Sequence, residues 1–342
     1  MTELTEAEHA EWDAFVYGEK SGSIFHTTWW HRAWDAEYRV FARRDRHGRI
    51  ESGILIHIAR FPSFSRFGVK GIRRPPLTPV NGPVFRSCPK QGRCNHYTHE
   101  KKELHSSIEV LPRVDFYDFG LGRAFRDIMP FLWNGFDTHI SYTYVIPVTE
   151  AAVWQKNISE NTKRKLKAAR KEAAETGCRI EADPPFAELK PLFFETGDTK
   201  GFSMHKYEAA MPRWWAAMKD MNAGRSYMLR DKGGKGLCAS LMVWDEHTAY
   251  VLLNGMMRDL RRDKHVNMLL FERMITDALE MGLDFDFDGS ILMGVERFFR
   301  GWGGELHQKF RVTKIPSALA YIGWKSWWYF RYHKKRGWVS PV

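Results

Sequence analysis

Two hydrophobic periodicities run along this chain, and the switches between them mark its elements. In HVNMLLFERMITDALEMG (265–282), Met268, Leu269, Phe271, Ile275, Ala278 and Leu279 recur at helical spacing and predict a long amphipathic helix. LDFDFDGS (283–290) follows at once and alternates strictly. It predicts a strand with Leu283, Phe285 and Phe287 on one face and Asp284, Asp286 and Asp288 on the other. In SILMGVERFFRGWGG (290–304), Val295, Phe298, Phe299 and Trp302 take the i, i+3, i+4, i+7 positions of a short helix. Arg297 and Arg300 lie off that stripe, one turn apart, and Gly303 and Gly304 suit a left-handed C-terminal cap.

A second strongly patterned helix is SENTKRKLKAARKEAAETG (159–177). Ile158, Thr162, Leu166, Ala169 and Ala173 form its apolar stripe, with Lys163, Arg164, Lys167, Arg170 and Lys171 roughly opposite and Gly177 as its stop. With Ser159 or Asn161 as the cap, the basic face is either solvated or the wall of an anion site at the helix N-terminus. Elsewhere the pattern is plainer. Residues 5–17 read as an amphipathic helix with a Thr5/Glu8 capping box, and SIFHTTWWHRAW (23–34) as a second helix start. RIESGILIHIARF (49–61) and HISYTYVIPV (139–148) read as strands, and proline and glycine make 73–83 a rigid irregular loop. After the basic helix come the strand CRIEA, a helix from about 186, a loop over 196–207 and a helix rich in Trp and Met. SYMLRDK and GLCASLMVWDEHTAYVLLNGM then supply consecutive strands with glycine turns between them.

Bulk properties narrow the class. A length of 342 residues predicts two domains, and 44% hydrophobic with 27% charged residues excludes a disordered chain. The formal charge of +11 favours an anionic partner: nucleic acid, a nucleotide-linked substrate or an acidic membrane surface. The acidic opening MTELTEAEHAEW is no signal peptide, and no apolar run is long enough to span a bilayer. Four cysteines in such a chain do not make a disulfide framework, so the expected location is the cytoplasm. Cys88, Cys94, His96 and His99 match no common zinc spacing, and no metal is expected. The tail YIGWKSWWYFRYHKKRGW (321–338) mixes aromatic and basic residues, fit to cover the first domain or to make a peripheral membrane contact.

In order and spacing, IFHTTWWHRAW, PPLTPVNGPVF, NTKRKLKAARKEAAETGCRIE, NMLLFERMITDALEMGLDFDFDGS and GVERFFRGWGGELHQKFRV resemble successive blocks of the Fem peptidyltransferases and their GNAT-like acyltransferase relatives. The resemblance implies an α+β fold of two tandem GNAT-like domains, built of mixed, mainly antiparallel sheets flanked by helices. They would occupy 1–150 and 151–315, with 316–342 returning to the first domain. It also implies substrate in the cleft between them. Better-known members move an aminoacyl group from aminoacyl-tRNA onto an amine, often in a peptidoglycan precursor. Arg297 matches the family arginine. A lysine common in the family falls on Phe299 here, and Arg300 is the neighbouring cation offered in its place.

The turn MMRDLRRDKHVN (256–267) lacks the glycines that let backbone N–H groups cradle a coenzyme A pyrophosphate, and it carries Arg258, Arg261, Arg262 and Lys264. Three functions follow from these readings. The first is aminoacyl transfer from aminoacyl-tRNA to an amine of a peptidoglycan precursor or other small molecule, with no cofactor. The second is acetyl-CoA-dependent N-acyl transfer, and the third a non-catalytic basic binding protein. For the catalytic readings, Arg297 and Arg300 are candidates for phosphate or oxyanion contacts, and Asp286 and Asp288 for orienting or deprotonating the amine. Lys163, Arg164, Lys167, Arg170, Asn254, Arg258 and Arg262 are candidates for binding substrate or phosphate.

Overall fold

The computed structural model describes residues 1–34, 37–60, 70–201, 203–258, 265–289, 292–316 and 321. Its contacts divide the chain inside a strand, after Ser141, and again after His307, so that Gln308 onward groups with the first unit. The sequence boundary at 150/151 falls nine residues later than the first division, and 308–315 lies outside the second unit.

In the first unit, β1 (Thr2–Glu3) precedes α1 (His9–Gly18) and α2 (Thr28–Ala33). The expected capping box is present: Glu8 Oε2 accepts from Thr5 N at 2.8 Å, in a 3-10 turn that leads into α1. Then come β2 (Glu37–Arg44), β3 (Ile50–Arg60), β4 (Lys70–Ile72), β5 (Val84–Phe85), α3 (Arg93–Glu109), β6 (Phe116–Leu121) and α4 (Met129–Trp133). β7 (Asp137–Ile146) carries the division point.

The second unit contains α5 (Ala151–Asn157), α6 (Glu160–Thr176), β8 (Arg179–Ala182), α7 (Phe186–Lys200), α8 (Met211–Asp220), β9 (Gly224–Arg230), β10 (Gly236–Trp244), β11 (Thr248–Met256), α9 (Asn267–Glu280), β12 (Asp284–Asp286) and α10 (Met293–Arg300). β13 (Glu305–Lys314) ends the described strands. The loop expected over 196–207 begins only at Gly201, because α7 continues through Lys200 and stops where Gly201 takes φ +84°. The turn between β10 and β11 contains no glycine, contrary to expectation; Asp245 caps it by accepting from His247 N and Thr248 N, both at 2.9 Å.

The two sheets repeat one plan. In the first unit β1, β2, β3 and β4 pair antiparallel in order, β4 pairs parallel with β6, and β6 pairs antiparallel with β13. In the second, β8, β9, β10 and β11 pair antiparallel, β11 pairs parallel with β12, and β12 pairs antiparallel with β7. Each parallel step needs a crossover, and a helix supplies it: α3 in the first unit, α9 in the second. The fold is thus two tandem GNAT-like sheets, mixed but mainly antiparallel, flanked by helices.

Hydrophobic patterning explains the packing of the second unit. Thr162, Leu166, Ala169 and Ala173 of α6 and the apolar stripe of α9 are buried in one core with Phe285, Phe287, Phe299 and Trp302. Ser159 caps α6 through Thr162 N, and Gly177 ends it in the left-handed conformation at φ +69°. The glycines after α10 work by close approach. A Cβ on Gly301 would stand 2.3 Å from Thr162 Oγ1, and one on Gly303 2.5 Å from Asn157 O. Ser159 N also donates to Gly301 O at 3.0 Å, so this segment lies against the start of α6, where one of the two sequence readings put an anion.

Candidate active site

Among the described residues, the second sheet parts at one place. β11 and β12 pair parallel for three residues, ending at Tyr250 opposite Asp286, yet β11 runs on to Met256. Beyond that pair β11 presents backbone N–H and C=O groups that β12 does not satisfy, a ready edge for a polar ligand. A bulge sharpens the geometry. Leu241 pairs with Leu253 and Met242 with Val251, leaving Leu252 as the extra residue and shifting the alternation. Val251 belongs to the core beneath α9, whereas Gly255 faces α7, where a Cβ would meet Leu192 C at 2.5 Å. Asn254 therefore falls on the α9 side, its Oδ1 held by Ser240 Oγ across the strand pair.

α10 covers the same side. Phe287 and Phe299 lie 4.8 Å apart, Phe271 and Phe298 4.9 Å, so the phenylalanine face of the β12 segment meets α9 and α10. Alternation then sends Asp284 and Asp286 to the opposite face. There Asp286 is buried and accepts from Thr143 Oγ1 and, at 2.8 Å, from Asp288 N, while Asp284 accepts from Val148 N at 2.9 Å. Asp288 leaves the alternation altogether at φ +56°. The grouping of Asp286 with Arg297 and Arg300 in one catalytic set is corrected: Asp284 and Asp286 lie on the face of β12 away from α10, where backbone and hydroxyl donors occupy them.

Another set of groups stands on the α10 side. Tyr144 Oη donates to Glu296 Oε1 at 2.7 Å, and Arg300 Nε lies 3.3 Å from the same oxygen. Burial, then the Glu296 hydrogen bond, raises the Tyr144 hydroxyl above its ordinary pKa. Neither residue was legible as a site in the sequence, since 152 positions separate them. Arg297 is exposed and has no partner among the described residues, while Phe299 is buried in the core. Arg300 does not take the direction of the missing lysine: it turns to Glu296 and the surface.

The other predicted contacts divide. Lys163 pairs with Glu160 at 2.9 Å, Arg164 donates to Asn161 Oδ1 at 3.0 Å, and Arg170 pairs with Glu272. Lys167 and Arg258 are exposed and have no partner among the described residues; Arg262 lies outside the described residues. A cavity of about 550 Å³ lies between α6 and α9 over β8 and β9, lined by Arg170, Glu272, Arg273 and Asp277. It offers a phosphate little, because Arg170 is committed to Glu272 and Arg273 to Asp277. We assign the chemistry to the strand opening instead.

The equivalent place in the first unit is filled. β4 and β6 end their parallel pairing at Ile72 opposite Tyr117, and the 73–83 loop enters. Asn81 N donates to Gly120 O at 2.9 Å, Gly120 N returns to Asn81 Oδ1 at 2.8 Å, and a Cβ on Gly120 would stand 2.2 Å from Pro79 O. Asp118 on β6 accepts two bonds from Arg311, at 2.8 and 3.0 Å. Burial would push its carboxyl up, but Arg74 and Arg311 outweigh burial and hold it below the usual range.

Comparison with known proteins bears on the domain, not on single residues. Residues 160–300 match the family model described as an acetyltransferase (GNAT) domain, a span that holds α6 through α10 and the β11–β12 opening. No curated protein matches the chain. Among solved structures, FemX is similar with a TM-score of 0.64 at 14% identity, covering 91% of this chain and 97% of that one. L-PGS from Bacillus licheniformis gives 0.52 at 13% identity, covering 94% and 95%. The C-terminal domain of a putative lysylphosphatidylglycerol synthetase from Agrobacterium fabrum gives 0.53 at 10%, covering 95% and 98%. The chain is an acyltransferase with a GNAT domain at residues 160–300, and in fold it resembles the Fem-like proteins.

Proposed function

We propose that this enzyme transfers an aminoacyl group from aminoacyl-tRNA to an amine acceptor. The observation that carries the proposal is the set of exposed cations in the second unit, Lys167, Arg258 and Arg297, which no carboxylate neutralises among the described residues. Unpaired cations in the unit that holds the strand opening suit a polyanionic donor, as does the overall charge of +11. One of the proteins of like fold bears a name that points to an aminoacylated lipid, so a lipid-linked or peptidoglycan-precursor amine is a fitting acceptor class.

The chemistry follows from the donor. A neutral amine attacks the ester carbonyl, the new N–C bond forms as the ester C–O bond breaks, and the amine's proton must leave while the departing tRNA hydroxyl gains one. Glu296, held by Tyr144, takes the proton-accepting role that the sequence reading gave to Asp286 and Asp288. Arg297 contacts donor phosphate or the developing oxyanion. Replacing Arg297 with Ala should lower turnover about a hundredfold and leave the unfolding midpoint unchanged, since no partner is stranded. A variant with full turnover returns Arg297 to the solvated surface.

A second reading, N-acyl transfer from acetyl-CoA, is favoured by the description of the matched family. Charged tRNA and acetyl-CoA are tested separately for protection against thermal unfolding and for turnover with amine acceptors. Protection and turnover with acetyl-CoA alone would overturn the proposal. If tRNA binds, replacing Arg164 and Lys167 together with Ala should reduce the slope of log K against log salt by about 0.7–0.9 per lost phosphate contact. An unchanged slope removes this face of α6 from the binding surface.

A further inference from the structure

Of the features left over by the proposed chemistry, the aromatic and basic tail at 321–338 lies outside the described residues except for Tyr321. A polar pair in the second sheet lies well inside them. Cys238 and Met242 of β10 belong to the core beneath α9, so alternation puts Ser240, between them, on the same face. Ser240 is 1% exposed and donates its hydroxyl to Asn254 Oδ1 on β11. Two apolar residues would hold a sheet face of this kind at least as well, because a buried hydroxyl only recovers through its bond what it loses in water. The pair calls for a reason beyond folding.

Strand register puts Asn254 at the gap between β11 and β12. Met257 N donates to Leu237 O at 3.0 Å, and Ala239 pairs with Gly255 and Leu241 with Leu253. In an antiparallel pair such bonded positions alternate. The N–H and C=O of Asn254 therefore point away from β10, to the edge that β12 leaves after Tyr250. The next such position outward, Met256, is closed, since its N–H donates to Thr196 Oγ1 at 3.1 Å. Among the described residues, Asn254 thus stands on the open part of the edge. Its side chain is fixed there as well. With Oδ1 turned to Ser240 on β10, the other end of the planar amide, Nδ2, turns away from β10 toward the gap. The reverse orientation would leave the buried Ser240 O–H without an acceptor among the described residues. Asn254 is half-buried, and its Nδ2 has no partner among the described residues.

We propose that Asn254 is a catalytic residue whose Nδ2–H donates to the carbonyl oxygen of the acyl donor, and that Ser240 positions it. The assignment rests on the reading of the strand opening as the site of acyl transfer. As the acceptor nitrogen bonds to the carbonyl carbon, the C=O electron pair moves to oxygen, and the fixed amide N–H meets the negative charge there. The ammonium proton passes to Glu296. Collapse then re-forms the C=O, breaks the bond to the leaving group and returns a proton to that group. A neutral donor of this kind takes the place of the lysine absent at Phe299, and it leaves Arg297 to the donor phosphate. Ester and thioester donors present the same carbonyl oxygen, so the role holds for either.

Turnover of total charged tRNA, and separately of acetyl-CoA, is measured with a lysine-containing peptide as the amine. Asn254→Asp keeps the shape and the acceptor for Ser240 and removes the donor. It should lower kcat about a hundredfold with KM within about twofold, because the contact forms in the transition state. Asn254→Ala, which adds no negative charge, should lose a comparable factor. Should either variant melt below the assay temperature, the other decides. Ser240→Ala should cost about tenfold in kcat, and combined with Asn254→Asp no more than Asn254→Asp alone, since its effect passes through the amide. An active wild type beside an Asn254→Ala of full turnover overturns the assignment while the reading of the opening stands. Factors that multiply in the double variant overturn the positioning role of Ser240. A wild type inert with both donors overturns the reading itself, and the assignment with it.

Discussion

Replacing Trp302 with Ala is expected to destabilise the second unit by about 3–5 kcal/mol, the range for emptying a large aromatic site in a packed core. Trp302 is fully buried. Its ring stacks at 6.3 Å on both Trp154 and Phe271, at 17° and 26°, and Phe298 meets it edge-on at 6.0 Å. Collapse cannot easily fill the gap. Trp154 is fixed by its own Nε1–H bond to Trp302 O at 3.0 Å, and the following glycines are wedged against Asn157 and Val145. Trp302 Nε1 has no acceptor among the described residues, so Trp302→Phe keeps most of the ring contact and removes an unsatisfied donor. It should cost well under half as much as the alanine. Urea unfolding of the three proteins measures this; an alanine variant shifted by less than about 1 kcal/mol would show that the aromatic cluster repacks.

Acid should weaken the first unit well above the range in which carboxylates titrate. His26, His31 and His57 are buried there, and His26 Nε2, His31 Nδ1 and His57 Nδ1 have no hydrogen-bond partner among the described residues. Burial pushes His26 down to about 4; burial and then the Arg73 charge push His57 down to about 4. Burial and then His57 hold His31 well below the ordinary value. Free imidazole titrates near 6.5, so between pH 6.5 and 4 the unfolded chain binds protons that the folded chain refuses. Stability is therefore complete above pH 6.5 and falls as pH drops through that window.

From pH 7 to pH 5, His26 and His57 should each remove about 2 kcal/mol, and His31 acts in the same direction. His205 is raised by its bonds to Glu208 and Asp198, which opposes the trend, but it is fully solvated. Glu8 is lowered to about 2 and Asp118 is lowered as well, so their losses add only at lower pH. Thermal melts at pH 7 and pH 5, with His57→Gln as the control, test this. A melting temperature that does not move between those pH values would refute it; a smaller drop in the variant would assign part of it to His57.

Periodicity alone determined the elements that bury a continuous stripe. α6 and α9 were legible with their buried residues, and so was the Ser159 cap, because a helix face and an N-cap are local relations of three or four positions. The aromatic stripe of 295–302 was legible for the same reason, and so, through its ordered blocks, was the GNAT-like plan. Partners were another matter. Alternation correctly put Asp284 and Asp286 on one face of β12, but no local rule states which face α10 will cover. Tertiary structure decided that, placing Phe285 and Phe287 under the helix and the aspartates behind the strand.

The same limit explains the rest. That Glu296 meets Tyr144 follows from β7 pairing with β12, a contact between distant segments. Arg170 was readable as basic, yet its pairing with Glu272 required the packing of α6 on α9. The closing of the first unit's strand gap by 73–83, and the open gap after Tyr250, likewise depend on where loops land. Charge and spacing fix what a residue can do; the through-space neighbours supplied by the fold fix whether it is already occupied.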